Sequence, residues 1–226
     1  MLIHIPAAIA KEEALSLRAA IAQGPWEDGA STAGANAGLK KNRQLPPDGA
    51  LSRQLGGKVL AALVANPAFV SAAIPKHIYP PLFNLYAPGD GFEPHVDNAI
   101  RGDAVTGARM RVDLAATLFL CEPEDYDGGE LVVDDIYGSR SFKPPAGDLV
   151  LYSAGSLHMV APVTRGERFA SFLWLQSMIR ADEARGLVHE LDGSIAELSA
   201  RLPAADADMR KLANVYHNLV RLWGDA

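Results

Sequence analysis

His95-Val96-Asp97 sets an imidazole and a carboxylate two positions apart, and His158 and Arg168 follow further along the chain. Two imidazoles and one carboxylate make the facial triad that holds non-haem Fe(II) and leaves positions open for a cosubstrate and O2. In a strand, residues i and i+2 face the same side, so His95 and Asp97 would meet one ion while Val96 turns into the opposite layer. With two neutral imidazoles and one carboxylate, a divalent ion keeps net positive charge, which suits an anionic cosubstrate. The pattern has plainer readings: His-x-Asp is common, a lone histidine is more often a satisfied half-buried side chain, and zinc accepts the same donors. The segment from Val160 to Arg168 favours iron. A turn at Gly166 reverses the chain after His158 and opens a strand from Arg168 to Trp174, with Arg168 aimed back at the interior. Its guanidinium is a fixed, two-donor fork for a distal carboxylate, the group 2-oxoglutarate would present.

These side chains need a scaffold that brings distant strands together. From residue 78 the chain turns to short β-rich pieces separated by Gly, Pro and Asp: Phe83–Tyr86, Leu114–Cys121, Glu130–Asp134, Asp148–Tyr152 and Phe169–Gln176. Strands of this length with frequent turns predict a sandwich, barrel or jelly roll, and the lack of intervening long helices argues against a parallel α/β fold. Gly128-Gly129 predicts positive φ angles, and Gly147-Asp148 another strand-opening turn. Asn98 and Arg101 follow the ligand strand at the expected pocket mouth, as substrate contacts or as solvated loop residues.

Residues 1–77 read as a mostly helical lead-in packed on this core. Helices are expected over Lys11–Gln23, ended by Gly24-Pro25, and over Leu51–Ala65, ended by Asn66-Pro67. Between them residues 29–38, small and polar, predict a mobile loop. Residues 179–226 return to helix, with stripes at Leu187, Leu191, Ile195, Leu198 and Leu202, then at Met209, Leu212, Tyr216, Leu219 and Trp223. A helical hairpin packed on the core is the expected form, with a homodimer contact as the alternative use of that surface.

Composition narrows the function classes. The 226 residues are 49% hydrophobic and 7% aromatic, an ordinary globular balance. A formal charge of -6 offers no electrostatic footprint for a nucleic-acid backbone, so a nucleic-acid partner is not expected. The lone Cys121, within Leu118-Phe119-Leu120-Cys121, excludes an intramolecular disulfide and fits a small buried hydrophobe in a reducing cytoplasm. Met1–Pro6 lacks a signal-peptide pattern, and no apolar run approaches the roughly 20 residues that span a bilayer. The expectation is a cytoplasmic protein with no membrane partner.

Nearly the whole chain resembles a known family. The matching pieces are Pro81-Leu82-Phe83-Asn84, His95-Val96-Asp97, Asp127-Gly128-Gly129-Glu130-Leu131 and Pro145 through Tyr152, then Pro162 through Gly166, Ala170-Ser171-Phe172 and Tyr216-His217-Asn218-Leu219. In combination they are similar to the PKHD-type hydroxylases among the Fe(II)- and 2-oxoglutarate-dependent dioxygenases. The resemblance implies an α+β chain whose core, over residues 78–178, is a double-stranded β-helix (a jelly-roll, cupin-like fold). It implies Fe(II) on His95, Asp97 and His158, 2-oxoglutarate on Arg168, and Tyr86 as a further hydrogen-bond donor to the cosubstrate. O2 would be consumed, succinate and CO2 released, and an unactivated C–H bond hydroxylated, with ascorbate as an external reductant. A small-molecule substrate linked to iron acquisition is implied, with a prolyl-type protein hydroxylase as the alternative. Phe92 departs from the pattern, because relatives often have tyrosine there. Two readings outside this class are a metal-dependent isomerase or hydrolase on a cupin-like barrel and a non-catalytic ligand-binding module.

Overall fold

Alternation along the central strands sorts their side chains between two faces, and that sorting builds the molecule. We describe it from a computed structural model covering residues 1–102, 109–136, 138–203 and 206–225. In Arg168–Ser177, Phe169, Leu173 and Leu175 join one apolar cluster, while Phe172 and Trp174 join another on the opposite face. Leu114–Phe119 divides likewise, with Leu114, Ala116 and Leu118 on one side and Ala115 and Phe119 on the other. This is the period of two expected of pleated strands.

The first face is covered by helices α1 (Lys11–Ile21), α2 (Ala50–Ala65) and α3 (Pro67–Ala73). Leu17 and Ile21 of α1, Val59 and Leu63 of α2, and Phe69 of α3 pack there with almost no exposed surface. The sheet between the layers has eight strands, all paired antiparallel, with Leu114–Phe119, Arg168–Ser177 and Leu82–Tyr86 at its centre. Across its other face lies a five-stranded sheet in the order Gly138–Phe142, Leu131–Asp135, His158–Val160, Gly91–His95 and Lys40–Lys41.

Residues 1–77 contribute strands as well as helices. Leu2–Ile5 pairs with Leu149–Ser153 at the edge of the larger sheet, Arg43–Gln44 pairs with Leu82–Tyr86, and Lys40–Lys41 extends the smaller sheet. The expected stop at Asn66-Pro67 is also a start. Asn66 accepts a hydrogen bond from Phe69 N at 3.1 Å, and Pro67 occupies the first turn of α3, where its missing N–H is harmless. Residues 29–38, expected as a loop, form two short 3-10 turns, Gly29–Thr32 and Gly34–Leu39.

Helices α4 (Asp182–Ser199) and α5 (Ala207–Trp223) pack on Ile74 and Ile179 through Val188, Tyr216, Leu219 and Trp223. The expected stripe holds along α5 but shifts on α4. Leu187 is 56% exposed, and the buried positions of that helix are Arg185 and Val188. No single helix among the described residues is long and apolar enough to cross a membrane.

Candidate active site

His95 is the last residue of Gly91–His95 and His158 the first of His158–Val160, and the two are direct cross-strand partners. Their ring centroids lie 4.2 Å apart. Asp97 follows two residues beyond the strand, held by its N–H to Ala154 O at 3.3 Å. One ligand atom from each of His95, Asp97 and His158 lies within 4.8 Å of the others. The strand alternation expected at this point carries only as far as His95. Pairing ends there, and Val96 is 45% exposed rather than turned into the opposite layer. Its carbonyl accepts from Asn36 Nδ2 at 3.1 Å, which ties the chain to the 3-10 turns.

Both imidazoles are oriented in the same way. His95 Nδ1 lies 2.8 Å from Glu93 O, and His158 Nδ1 lies 3.0 Å from Ser156 O. A carbonyl only accepts, so this assigns the proton to Nδ1 and leaves each Nε2 lone pair free to ligate. Burial, reinforced by the neighbouring His158, pulls the His95 imidazole down to about 4, so its neutral, metal-ready form prevails. Burial also raises the Asp97 carboxyl, opposed by His158. Asp97 Oδ2 has no hydrogen-bond partner among the described residues. Two free imidazole lone pairs and an under-compensated carboxylate are a donor set that fits a divalent cation. Phe92 stacks on His95 at 3.5 Å between centroids and 18° between planes.

Arg168 comes from the other sheet. It opens the strand Arg168–Ser177, opposite Tyr86, after a turn in which Gly166 has φ +72°. The residue is 1% exposed, yet Nε, Nη1 and Nη2 all lack hydrogen-bond partners among the described residues. Cζ lies 5.3 Å from the Tyr86 ring and 5.2 Å from that of Phe119, and the Tyr126 hydroxyl is the polar group beside it. A buried, unpaired guanidinium is costly unless an anion completes it. Space for its stem depends on Gly129, where a Cβ would come within 3.1 Å of Arg168 Cδ at φ +67°. Tyr86 is also buried, and its phenol is pushed up to about 12 by burial against the opposing charge of Arg168.

One pocket between the sheets is lined by His95, Asp97, His158, Arg168 and Tyr86 together. Asn98 and Arg101 also line it. Cys121 lies outside it in the core, with its sulfur 3.2 Å from Phe169 N. Several lining residues were not singled out from sequence. Phe172 and Trp174 lie at even spacing after Arg168, so strand alternation carried a signal for them. Thr32, Asn36 and Lys40 had none, because they belong to the small, polar segment and its exit.

Comparison with known proteins agrees with this arrangement. A model of the 2OG-Fe(II) oxygenase superfamily matches residues 81–176, and one of the PKHD-type hydroxylase C-terminal domain matches residues 182–225. A PKHD-type hydroxylase of Caulobacter vibrioides is 51% identical over 226 residues, covering 100% of both chains. The chain belongs to the PKHD-type hydroxylases. One from Burkholderia thailandensis is likewise 51% identical over 227 residues, again with 100% of both chains covered. Membership makes the protein a 2-oxoglutarate-dependent dioxygenase and brings Fe(II) and 2-oxoglutarate as the family's metal and cosubstrate. Among solved structures, a Pseudomonas putida prolyl-4-hydroxylase aligns with TM-score 0.54 at 20% identity, over 78% of this chain and 92% of that one. HygX of Streptomyces hygroscopicus, with nickel, 2-oxoglutarate and hygromycin B bound, aligns with TM-score 0.54 at 14% identity, over 78% and 82%. At such identities the likeness is one of fold, a sheet-rich core with helices.

Proposed function

We propose that His95, Asp97 and His158 hold Fe(II), that Arg168 takes the distal carboxylate of 2-oxoglutarate, and that a C–H bond of a small molecule is hydroxylated in the pocket between the sheets. The paired sheets are then the two halves of a double-stranded β-helix. The observation that carries the reading is the Arg168 guanidinium, buried with no ion-pair partner among the described residues in the same pocket as three convergent ligand atoms.

When bound, the iron and 2-oxoglutarate supply the oxidative chemistry, in which O2 is reduced, succinate and CO2 leave and one oxygen enters the substrate. The protein's own residues bind and orient. Nδ1 bonds to the backbone orient both imidazoles so that Nε2 faces the metal. Asp97 contributes the one anionic ligand, and the Arg168 fork fixes the far end of the cosubstrate. Tyr86, opposite Arg168 in the sheet, adds its hydroxyl as a neutral donor to that carboxylate. Phe92, Leu131 and Val160 line the pocket and limit water around the metal ligands. A small-molecule substrate is supported by a concave pocket that sets aromatic side chains beside a few convergent polar ones. The family resemblance suggests a compound of iron acquisition and ascorbate as reductant. A cytoplasmic setting accords with the single buried thiol of Cys121.

Anaerobic titration of metal-free protein with Fe(II) and 2-oxoglutarate tests the cofactor assignment without any knowledge of substrate. We expect a saturable visible charge-transfer band, absent in His95→Ala and Asp97→Ala and shifted to much higher 2-oxoglutarate concentration in Arg168→Ala. Folded wild-type protein that binds Fe(II) but forms no band would overturn the reading.

A further inference from the structure

Lys40 and Arg101 enter the pocket from separate segments beside the metal ligands, and one residue fastens both. Lys40 Nζ donates to Thr32 Oγ1 at 2.9 Å, and Arg101 Nη2 reaches Thr32 O at 3.4 Å. Each lies against aromatic rings. Arg101 Cζ sits 3.5 Å above Trp174 and 5.2 Å from the ring of Tyr79, and Lys40 Nζ is 5.4 Å from both Phe92 and Phe172. So close over the indole, the guanidinium directs its N–H groups outward; Thr32 O and the Tyr79 hydroxyl engage part of its five-donor fork and the rest stays available to an acceptor.

Neither cation forms an ion pair among the described residues. Among the described residues, the one carboxylate lining the pocket is Asp97, a proposed iron ligand. With Fe(II) set against Asp97, and doubly charged 2-oxoglutarate against Arg168 and the remaining charge of the metal, the inner site is neutral. Lys40 and Arg101 stand outside that balance. Their surroundings are also poorly hydrated, and burial lowers the Lys40 ammonium to about 7 and depresses Arg101.

We infer that Lys40 and Arg101 form an anion subsite in the pocket and that the substrate is a small carboxylic acid whose carboxylate docks there. The inference rests on the iron and 2-oxoglutarate reading above. The fork of Arg101 matches a carboxylate in plane, and Lys40 in its protonated form, which a bound anion favours, adds a second charged donor. The subsite would fix which C–H bond of the acid is turned toward the metal.

The test uses wild-type enzyme loaded anaerobically with Fe(II) and saturating 2-oxoglutarate, so that Arg168 is already engaged. Benzoate and phenylacetate are titrated alongside their neutral isosteres benzamide and phenylacetamide, with the charge-transfer band and tryptophan fluorescence as readouts. The acids are expected to bind at least about tenfold more tightly than the amides, and Arg101→Gln and Lys40→Gln each to weaken the acids about 10- to 100-fold. Arg101→Lys, which keeps the charge but loses the fork, should fall between. Equal binding of acids and amides by the wild type, or acid binding indifferent to both substitutions, would overturn the subsite. Failure of both acids to bind while the charge-transfer band forms normally would overturn it too, leaving the oxygenase reading intact. A wild type that forms no band overturns both.

Discussion

Two arginines are almost wholly buried in this chain, and the protein treats them in opposite ways. Arg185, 0% exposed, lies under the C-terminal helices, where Nη1 donates to Ile179 O at 2.7 Å and Nη2 pairs with Asp182. Arg168, 1% exposed, lies between the two sheets with none of its three nitrogens bonded among the described residues. Burial pulls Arg185 down to about 10, so even a guanidinium with Nη1 and Nη2 bonded and Nε alone unpaired among the described residues bears the cost of leaving water. The difference teaches how to tell a cation that holds structure from one that waits for a ligand. A folded chain gains nothing from an unpaired buried charge unless something outside the chain completes it.

Replacing the two arginines breaks or sharpens this contrast most strongly. Arg168→Met should weaken 2-oxoglutarate binding by about 100-fold or more, since a charge-assisted, two-donor contact is lost. In metal-free protein the same change should raise stability, by about 1–4 kcal/mol, because an uncompensated charge is removed. Arg185→Met should do the reverse, lowering stability by about 1.5–3 kcal/mol through its lost hydrogen bonds. Paired thermal melts with and without 2-oxoglutarate check both signs, and equal destabilisation by the two substitutions would end the distinction.

The pH dependence of the metal-free protein is a smaller effect. His95 in the fold sits at about 4, below the roughly 6.5 of an exposed imidazole, so the unfolded chain binds the proton first. Its contribution is present above about pH 6.5 and is lost as pH falls toward 4, by up to about 3 kcal/mol. Denaturant titrations at stepped pH should show this loss, and His95→Gln should flatten it. Smallest of all is Tyr86→Phe, which removes one neutral donor beside Arg168. A rise of about 2- to 10-fold in the 2-oxoglutarate dissociation constant is expected. An unchanged constant would leave Arg168 without that helper.

Much of the candidate site was legible before the fold. His95, Asp97, His158, Tyr86 and Arg168 were named from residue chemistry, spacing and family resemblance, and the structure gathers all five around one pocket. The turn glycines were legible as well, since Gly128 and Gly129 take φ +70° and +67°, angles open mainly to a residue without a Cβ. Less legible were features with no periodic signal. Pro67 read as a helix stop because local sequence does not distinguish a break from a restart, and Leu187 read as buried because period alone does not select among neighbouring faces of α4.

By itself the sequence determined the chemistry on offer: which donors exist, which strands alternate, and which arginine follows the second histidine. These are local properties, written in residue type and spacing. Only the tertiary structure decided which charges are answered. Asp182 meets Arg185, three residues on in the same helix, whereas Arg168 meets no carboxylate among the described residues, and Lys40 and Arg101, 61 positions apart in sequence, share Thr32 in one pocket. Charge compensation depends on distance and burial in three dimensions, so it emerges only when the two sheets and the N-terminal turns close around the same space.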